Sequence, residues 1–290
     1  MRVAITGGTG FIGRHVLKIL LERNFDVVLL TRNLDRVKFN RHPNLTIYEC
    51  DIHNSKLVSF EEIDSPDVLL HLAWEGLSDY RSLRHYETDL PAHYNFLKNI
   101  ISGGLKKLVV TGTCFEYGMK SGQLSEDMET APDNPYGFSK DCLRKELEFL
   151  QAEETFGLTW ARLFYLWGEG QPKNSLYPQL CNAINTGMSE FDMSGGEQKR
   201  DYLPVEQVAE YLVQLSVDVS PTGVVNICSG NPMTVKELVN NWIKEKKSII
   251  KLNYGKYPYP DYEPMEFWGD VKKITRILKT KNKRSRSDEV

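Results

Sequence analysis

The sequence predicts a doubly wound α/β protein: a parallel sheet covered by helices on both faces. Three observations carry that expectation. Short apolar runs alternate with longer amphipathic stretches through the first half of the chain. The runs are continuously apolar rather than alternating, as strands buried on both faces must be. A glycine-rich turn follows the first run, where such a sheet begins its first helix.

The elements follow in order. Residues 3–5 read as a buried strand, and 11–24 as a helix with Phe11, Ile12, His15, Val16, Ile19 and Leu20 on one face. Further strands are predicted at 27–30, 45–48, 68–72 and 107–111, with a helix over 81–101 before the last of these. Pro135 opens another helix running to 155, and 158–163 is the sixth strand. Beyond it, 174–184, 205–215 and 234–245 read as helices, the last with Thr234 and Glu237 in capping-box spacing, and 224–227 as a strand. The expected division is a dinucleotide-binding domain over 1–165 and a smaller C-terminal substrate-binding lobe over 166–278, with elements able to return to the main sheet. Residues 279–290 read as a polar, basic, disordered tail.

Composition narrows the setting. With 41% hydrophobic and 26% charged residues, the 290-residue chain has ordinary globular composition. A net charge of −3 gives no reason to expect nucleic acid or an acidic membrane as partner. Five scattered cysteines without a C-x-x-C pair, and six histidines without ligand spacing, suggest reduced thiols and no metal site. No run reaches the roughly 18 apolar residues of a membrane span, and the N-terminus lacks a secretory signal core, so the expected location is cytoplasmic.

The turn Gly7-Gly8-Thr9-Gly10-Phe11-Ile12-Gly13 has the spacing that a dinucleotide site needs. Gly7, Gly10 and Gly13 allow a sharp turn, close approach to a pyrophosphate and tight helix packing, and the helix starting at Phe11 and Ile12 points its amides at the anion. Leu72 and Ala73, ending the fourth strand, would border the same crevice, and Asp51 and Ile52 would flank the adenine. Thr31 and Arg32 stand where an NAD site usually carries a carboxylate for the ribose 2′-hydroxyl. Arg32 could instead pair with a 2′-phosphate, so NADP(H) is favoured, with NAD(H) as the alternative.

Tyr136 and Lys140 lie four residues apart and share a helix face. An ammonium beside a phenol lowers its pKa and makes it a working proton shuttle. Tyr94 and Lys98 repeat the spacing in mid-helix, where packing explains them. Tyr136 follows Pro135 and lies 23 residues after Thr113, a hydroxyl at a strand's carboxyl end.

With these motifs the chain resembles the extended short-chain dehydrogenase/reductase family of nucleotide-sugar epimerases, dehydratases and ketoreductases, whose cofactor domain is a Rossmann fold. The likeness extends through residues 111–118, 162–168, 200–206 and 226–230. It implies that Thr113 is the catalytic Ser/Thr, Tyr136 the acid/base and Lys140 the residue binding nicotinamide ribose. It also implies that Arg200 grips a nucleotide diphosphate. Cys114 and Phe115 replace the Asp-Glu pair of family dehydratases, which argues against water loss. Tyr165 stands where many epimerases have Asn, and Asp89 where the family often has Asn.

The expected activity is reduction of a nucleotide-diphosphate 4-keto-6-deoxy sugar, as in the making of deoxysugars for surface polysaccharides. The alternatives are a 4-epimerase with retained NAD and a non-catalytic NAD(P)-binding sensor or scaffold. Trp74, Glu75 and Tyr165, with Tyr80 and Trp167, are expected to line the sugar pocket. A homodimer is expected through helical segments near 83–101 and 137–155.

Overall fold

A computed structural model of the chain describes residues 1–37, 42–54 and 58–287, without the side chains of 36 and 280–287. Seven parallel strands form the main sheet: β1 (Arg2–Thr6), β2 (Asp26–Thr31), β3 (Leu45–Glu49), β4 (Val68–His71), β5 (Lys107–Thr113), β6 (Gly157–Leu163) and β7 (Gly223–Ile227). Their order is β7-β6-β5-β4-β1-β2-β3, with the chain reversing direction across the sheet beside β1. The seventh strand comes from the second half of the sequence and pairs Val225 with Ala161.

The central strands are mostly apolar because alternate side chains feed two cores. Val3 and Ile5 of β1 join Val16, Leu17 and Leu20 of helix α1 (Phe11–Glu22) on one face. Ala4 joins the opposite core with Phe96 and Leu97 of α2 (Leu90–Ser102) and Leu143 and Leu147 of α3 (Pro135–Leu150). Each of these large side chains contributes roughly 1.5–3 kcal/mol by burial.

Asn134 starts α3 by accepting a 2.9 Å hydrogen bond from the Gly137 amide, with Pro135 in the first turn. The helix ends at Leu150, short of the predicted 155. The helix predicted over 81–101 begins instead with a π-helical turn, His85–Asp89, followed directly by α2. Hydrogen bonds from Arg84 and His53 to the buried Asp89 carboxylate hold that wider turn.

The second half adds α4 (Leu176–Asn185), α5 (Val205–Val217) and α6 (Val235–Glu245). Helix α5 packs against α1 on the main sheet through Val208 and Leu212. By contrast, α4 and α6 enclose a separate core of Leu180, Phe191, Leu238 and Trp242. Thr234 and Glu237 form the predicted capping box of α6. Strand Phe267–Gly269 returns to pair with Gly122–Leu124, bringing the segment before it over the end of β5.

The last helix, α7 (Lys272–Ser287), covers most of the stretch that reads as a disordered tail. Buried Ile274 anchors it, with Ile277 and Leu278 packing on the same core, and the Lys/Arg residues beyond are good helix formers. Residues 288–290 of that tail lie outside the described residues. Among the described residues no helix is long and apolar enough to cross a membrane.

Candidate functional site

Thr6, Thr31, His71 and Thr113 end β1, β2, β4 and β5, so a crevice opens along the carboxyl edge of the sheet. At its centre the backbone of Gly7 has φ +71°, and a Cβ there would lie 2.7 Å from the Ala73 amide nitrogen. A Cβ on Gly13 would stand 2.1 Å from the Gly7 carbonyl oxygen. No side chain caps α1 at Gly10, which leaves its first amides to the crevice. This bare cradle fits a dinucleotide pyrophosphate.

One cleft gathers Gly7, Gly10, Thr31, Arg32, Asp51, Ile52 and Ala73. Ile12 and Leu72 turn toward the core, Phe11 packs edge-on against His15, and Gly13 lies under the turn. Trp74 and Glu75, expected from sequence in the sugar pocket, line the same cleft, and Trp74 also meets the Tyr136 ring. The Glu75 carboxylate accepts hydrogen bonds from both Arg32 and Arg84. Thr6, Thr9, Asn33, Cys50, His53 and His93 also line the cleft. Apart from Thr9, which lies within the glycine turn, they come from separate strand ends, loops and α2, so sequence spacing could not reveal them.

The histidines that show no pattern in sequence cluster in space. His71 bonds Thr6 at 2.9 Å and His93 at 2.8 Å, and burial pushes it down to about 3, so it is neutral. Potential ligand atoms of His53, Glu75 and Asp89 lie within 4.8 Å of one another. Arg32 and Arg84 already neutralise Glu75, and the group forms an ion network.

Tyr136 sits in the first turn of α3, with Lys140 one turn on and buried. The Lys140 ammonium lies 4.3 Å from the Trp74 ring centre and 5.4 Å from that of Trp160. Trp74 is fixed by its own N–H, which donates to His85 Nδ1 at 3.1 Å, and by stacking on His93 with centroids 4.5 Å apart. Tyr80 stacks on Tyr136 at 5.3 Å, and Phe115 and Trp74 meet the ring edge-on.

The electrostatics correct one expectation. Burial raises the Tyr136 phenol well above its ordinary value, with Tyr80 and Glu116 adding to the rise. Burial also lowers Lys140 to about 7, against the pull of Glu116. The ammonium therefore does not make the phenol acidic here, because desolvation penalises both charges. Tyr94 packs on the core, as its mid-helix position suggests.

Below Thr113, Glu116 receives the Thr113 amide at 2.8 Å, the Trp160 indole at 2.9 Å and Arg162 Nε at 2.6 Å. It supports the strand end from beneath. Arg200 is buried, 3.3 Å from Glu263, and Tyr165 donates its hydroxyl to the same carboxylate. The neighbouring Asp201 is committed elsewhere, accepting from the Ser229 and Gly230 amides. Trp167, also a sugar-pocket candidate, packs against Tyr177 and Trp242 in the smaller lobe. Beside it a second cleft of about 880 Å³ is lined by Tyr177, Asn182, Phe191 and Tyr257.

Comparison with known proteins identifies the family. A dTDP-6-deoxy-L-talose 4-dehydrogenase (NAD(+)) of Aggregatibacter actinomycetemcomitans is 28% identical over 274 residues, spanning 93% of this chain and 99% of that protein. A UDP-glucose 4-epimerase of Halalkalibacterium halodurans is 27% identical, over 82% of this chain and 78% of its own. A solved UDP-N-acetylglucosamine 4-epimerase from Methanobrevibacter ruminantium M1 has the same fold, with a TM-score of 0.84 at 24% identity over 95% of this chain and 91% of that one. The model of the NAD dependent epimerase/dehydratase family matches residues 3–228, and the chain belongs to that family.

Proposed function

We propose that the protein reduces the 4-keto group of a nucleotide-diphosphate 4-keto-6-deoxy sugar, with NADPH as reductant. The observation that carries this reading is the state of Tyr136. Its phenol stands at the carboxyl edge of the sheet, enclosed by the rings of Tyr80, Phe115 and Trp74, and burial raises it well above its ordinary value. A protonated phenol is a general acid, which reduction of a ketone needs from the outset.

The bound cofactor supplies the hydride. Tyr136 gives its proton to the carbonyl oxygen as the carbonyl becomes an alcohol, and Thr113 orients that oxygen. The phenolate left behind regains its proton from Lys140, whose lowered value of about 7 suits transfer near neutral pH. Cys114 and Phe115 offer no carboxylate for water loss. The relative named as a dTDP-6-deoxy-L-talose 4-dehydrogenase supports oxidoreduction at position 4 of a nucleotide-linked deoxysugar.

The preference for NADPH rests on the end of β2, where Thr31 is followed by Arg32 and not by a carboxylate. Arg32 is held by Glu75 on an exposed edge, where a 2′-phosphate can compete for it. Arg200 and Tyr165 would meet the substrate diphosphate, and the second cleft would take its base. A homodimer through the helical segments near 83–101 and 137–155 is supported by Tyr86 and Phe138, which are 37% and 47% exposed and pack 6.3 Å apart.

The 4-epimerase reading draws on the UDP-glucose 4-epimerase relatives and requires a retained NAD. Incubation with NADPH and a panel of 4-keto nucleotide sugars decides between them. Loss of nicotinamide absorbance with formation of a 4-hydroxy sugar is expected. Interconversion of 4-hydroxy nucleotide sugars without net NADPH consumption would overturn the reductase reading.

A further inference from the structure

No carboxylate follows directly on β2, but one reaches its end from elsewhere in the sheet. Strand β1 lies between β2 and β4. Arg32 follows β2 and Glu75 follows β4, and they meet across the crevice, where the Arg32 guanidinium donates to Glu75 Oε1. Both residues line the cleft that also holds Gly7 and Gly10 of the glycine turn. Arg84 donates to the other oxygen, Oε2, and His53 Nδ1 stands 3.9 Å from Oε1. A carboxylate has about four lone-pair sites, so a hydroxyl donor can still join the two arginines.

This pair meets the two cofactors differently. The ribose 2′-hydroxyl of NAD(H) can donate to Glu75 while Arg32 stays in place, which is what a β2 carboxylate does in an NAD site. The 2′-phosphate of NADP(H) must instead draw Arg32 off Glu75 and lie near that negative charge. The Arg32 side chain is 50% exposed and free to make this move, and Glu75 keeps Arg84 when it does. The cost falls on NADP(H) alone, so it does not cancel when the two cofactors are compared.

We propose that Glu75 is a specificity-determining residue for the cofactor. From the end of β4 it supplies the ribose-reading carboxylate that β2 lacks, and it holds down the NADPH preference that Arg32 creates. The protein therefore accepts both cofactors, with NADPH ahead by less than Arg32 alone would give. The inference rests on the reading above that Arg32 meets the 2′-phosphate.

Fluorescence titration of the full chain with NADPH and with NADH, in the absence of sugar, tests this. Glu75→Gln, nearly isosteric, should raise the preference for NADPH about tenfold, chiefly through tighter NADPH binding. Asp35→Asn removes the same charge from the next acid after Arg32 in the chain and should change the ratio less than about twofold. Arg84→Met leaves Glu75 to Arg32 and should lower the preference a few-fold; it decides the matter if Glu75→Gln does not fold. A preference in Glu75→Gln that is unchanged, lowered or matched by Asp35→Asn overturns the role of Glu75, as does an unchanged or raised preference in Arg84→Met. Arg32→Ala separates the two readings. If it lowers the preference, the NADPH reading stands whatever Glu75→Gln does; if it leaves the preference unchanged, both fall together.

Discussion

The Lys140 ammonium stands 4.3 Å from the centre of the Trp74 ring, one helical turn after Tyr136. The ring face offsets part of the cost of burying this charge, yet burial still brings the lysine down to about 7. An unfolded lysine titrates near 10.4, so the folded chain binds this proton less strongly than the unfolded one. The destabilisation is therefore full below about pH 7, fades as pH rises through the window from about 7 to 10.4, and vanishes above it. Lys140→Met should raise stability by about 1–3 kcal/mol at pH 6, with the gain shrinking toward pH 10. Thermal melts of both proteins across that range check it; a gain independent of pH would contradict the burial of a titrating ammonium.

Glu116 is the sole carboxylate bonded to Arg162 among the described residues, at 2.6 Å with both groups essentially buried. Glu116→Ala should cost about 3–5 kcal/mol, because it strands the guanidinium and releases the Thr113 amide and the Trp160 indole. Chemical denaturation measures this directly, and a loss below about 1 kcal/mol would mean that water or another group replaces the carboxylate.

A methyl group at residue 13 would lie 2.1 Å from the Gly7 carbonyl oxygen, a backbone atom that can yield only by moving the turn. Gly13→Ala should weaken cofactor binding at least about tenfold in a fluorescence titration, through displacement of the cradle. Unchanged affinity would place the cofactor away from this turn.

Arg32 is shared between Glu75 and the cleft. Arg32→Ala should lower kcat/KM for NADPH about tenfold or more while leaving NADH little affected. Equal losses for both cofactors would show that Arg32 does not read the 2′-phosphate.

What the sequence made legible was local or periodic. Gly7, Gly10 and Gly13 are read together because one turn imposes all three, and the central strands are read because burial on both faces makes their runs mostly apolar. Tyr136 is separated from Tyr94 by Pro135 and by the strand-end Thr113, both short-range signals. Pairs formed by distant residues were hidden. Arg200 meets Glu263 across 63 positions, and Arg32 meets Glu75 across 43, so both arginines assigned to phosphates turn out to hold internal carboxylates. The π-helical turn at His85–Asp89 was equally hidden, since it depends on His53 and Arg84 reaching one buried carboxylate. The raised Tyr136 phenol follows from the rings of Tyr80, Phe115 and Trp74 closing around it, which no spacing rule foretells.

Replacing Tyr136 by Phe is the most direct test, because it removes one hydroxyl and leaves the ring contacts in place. The account predicts a Tyr136→Phe protein that melts as the wild type does, binds cofactor, and reduces 4-keto nucleotide sugars at least about a hundredfold more slowly. Turnover at the wild-type rate in that variant would contradict it.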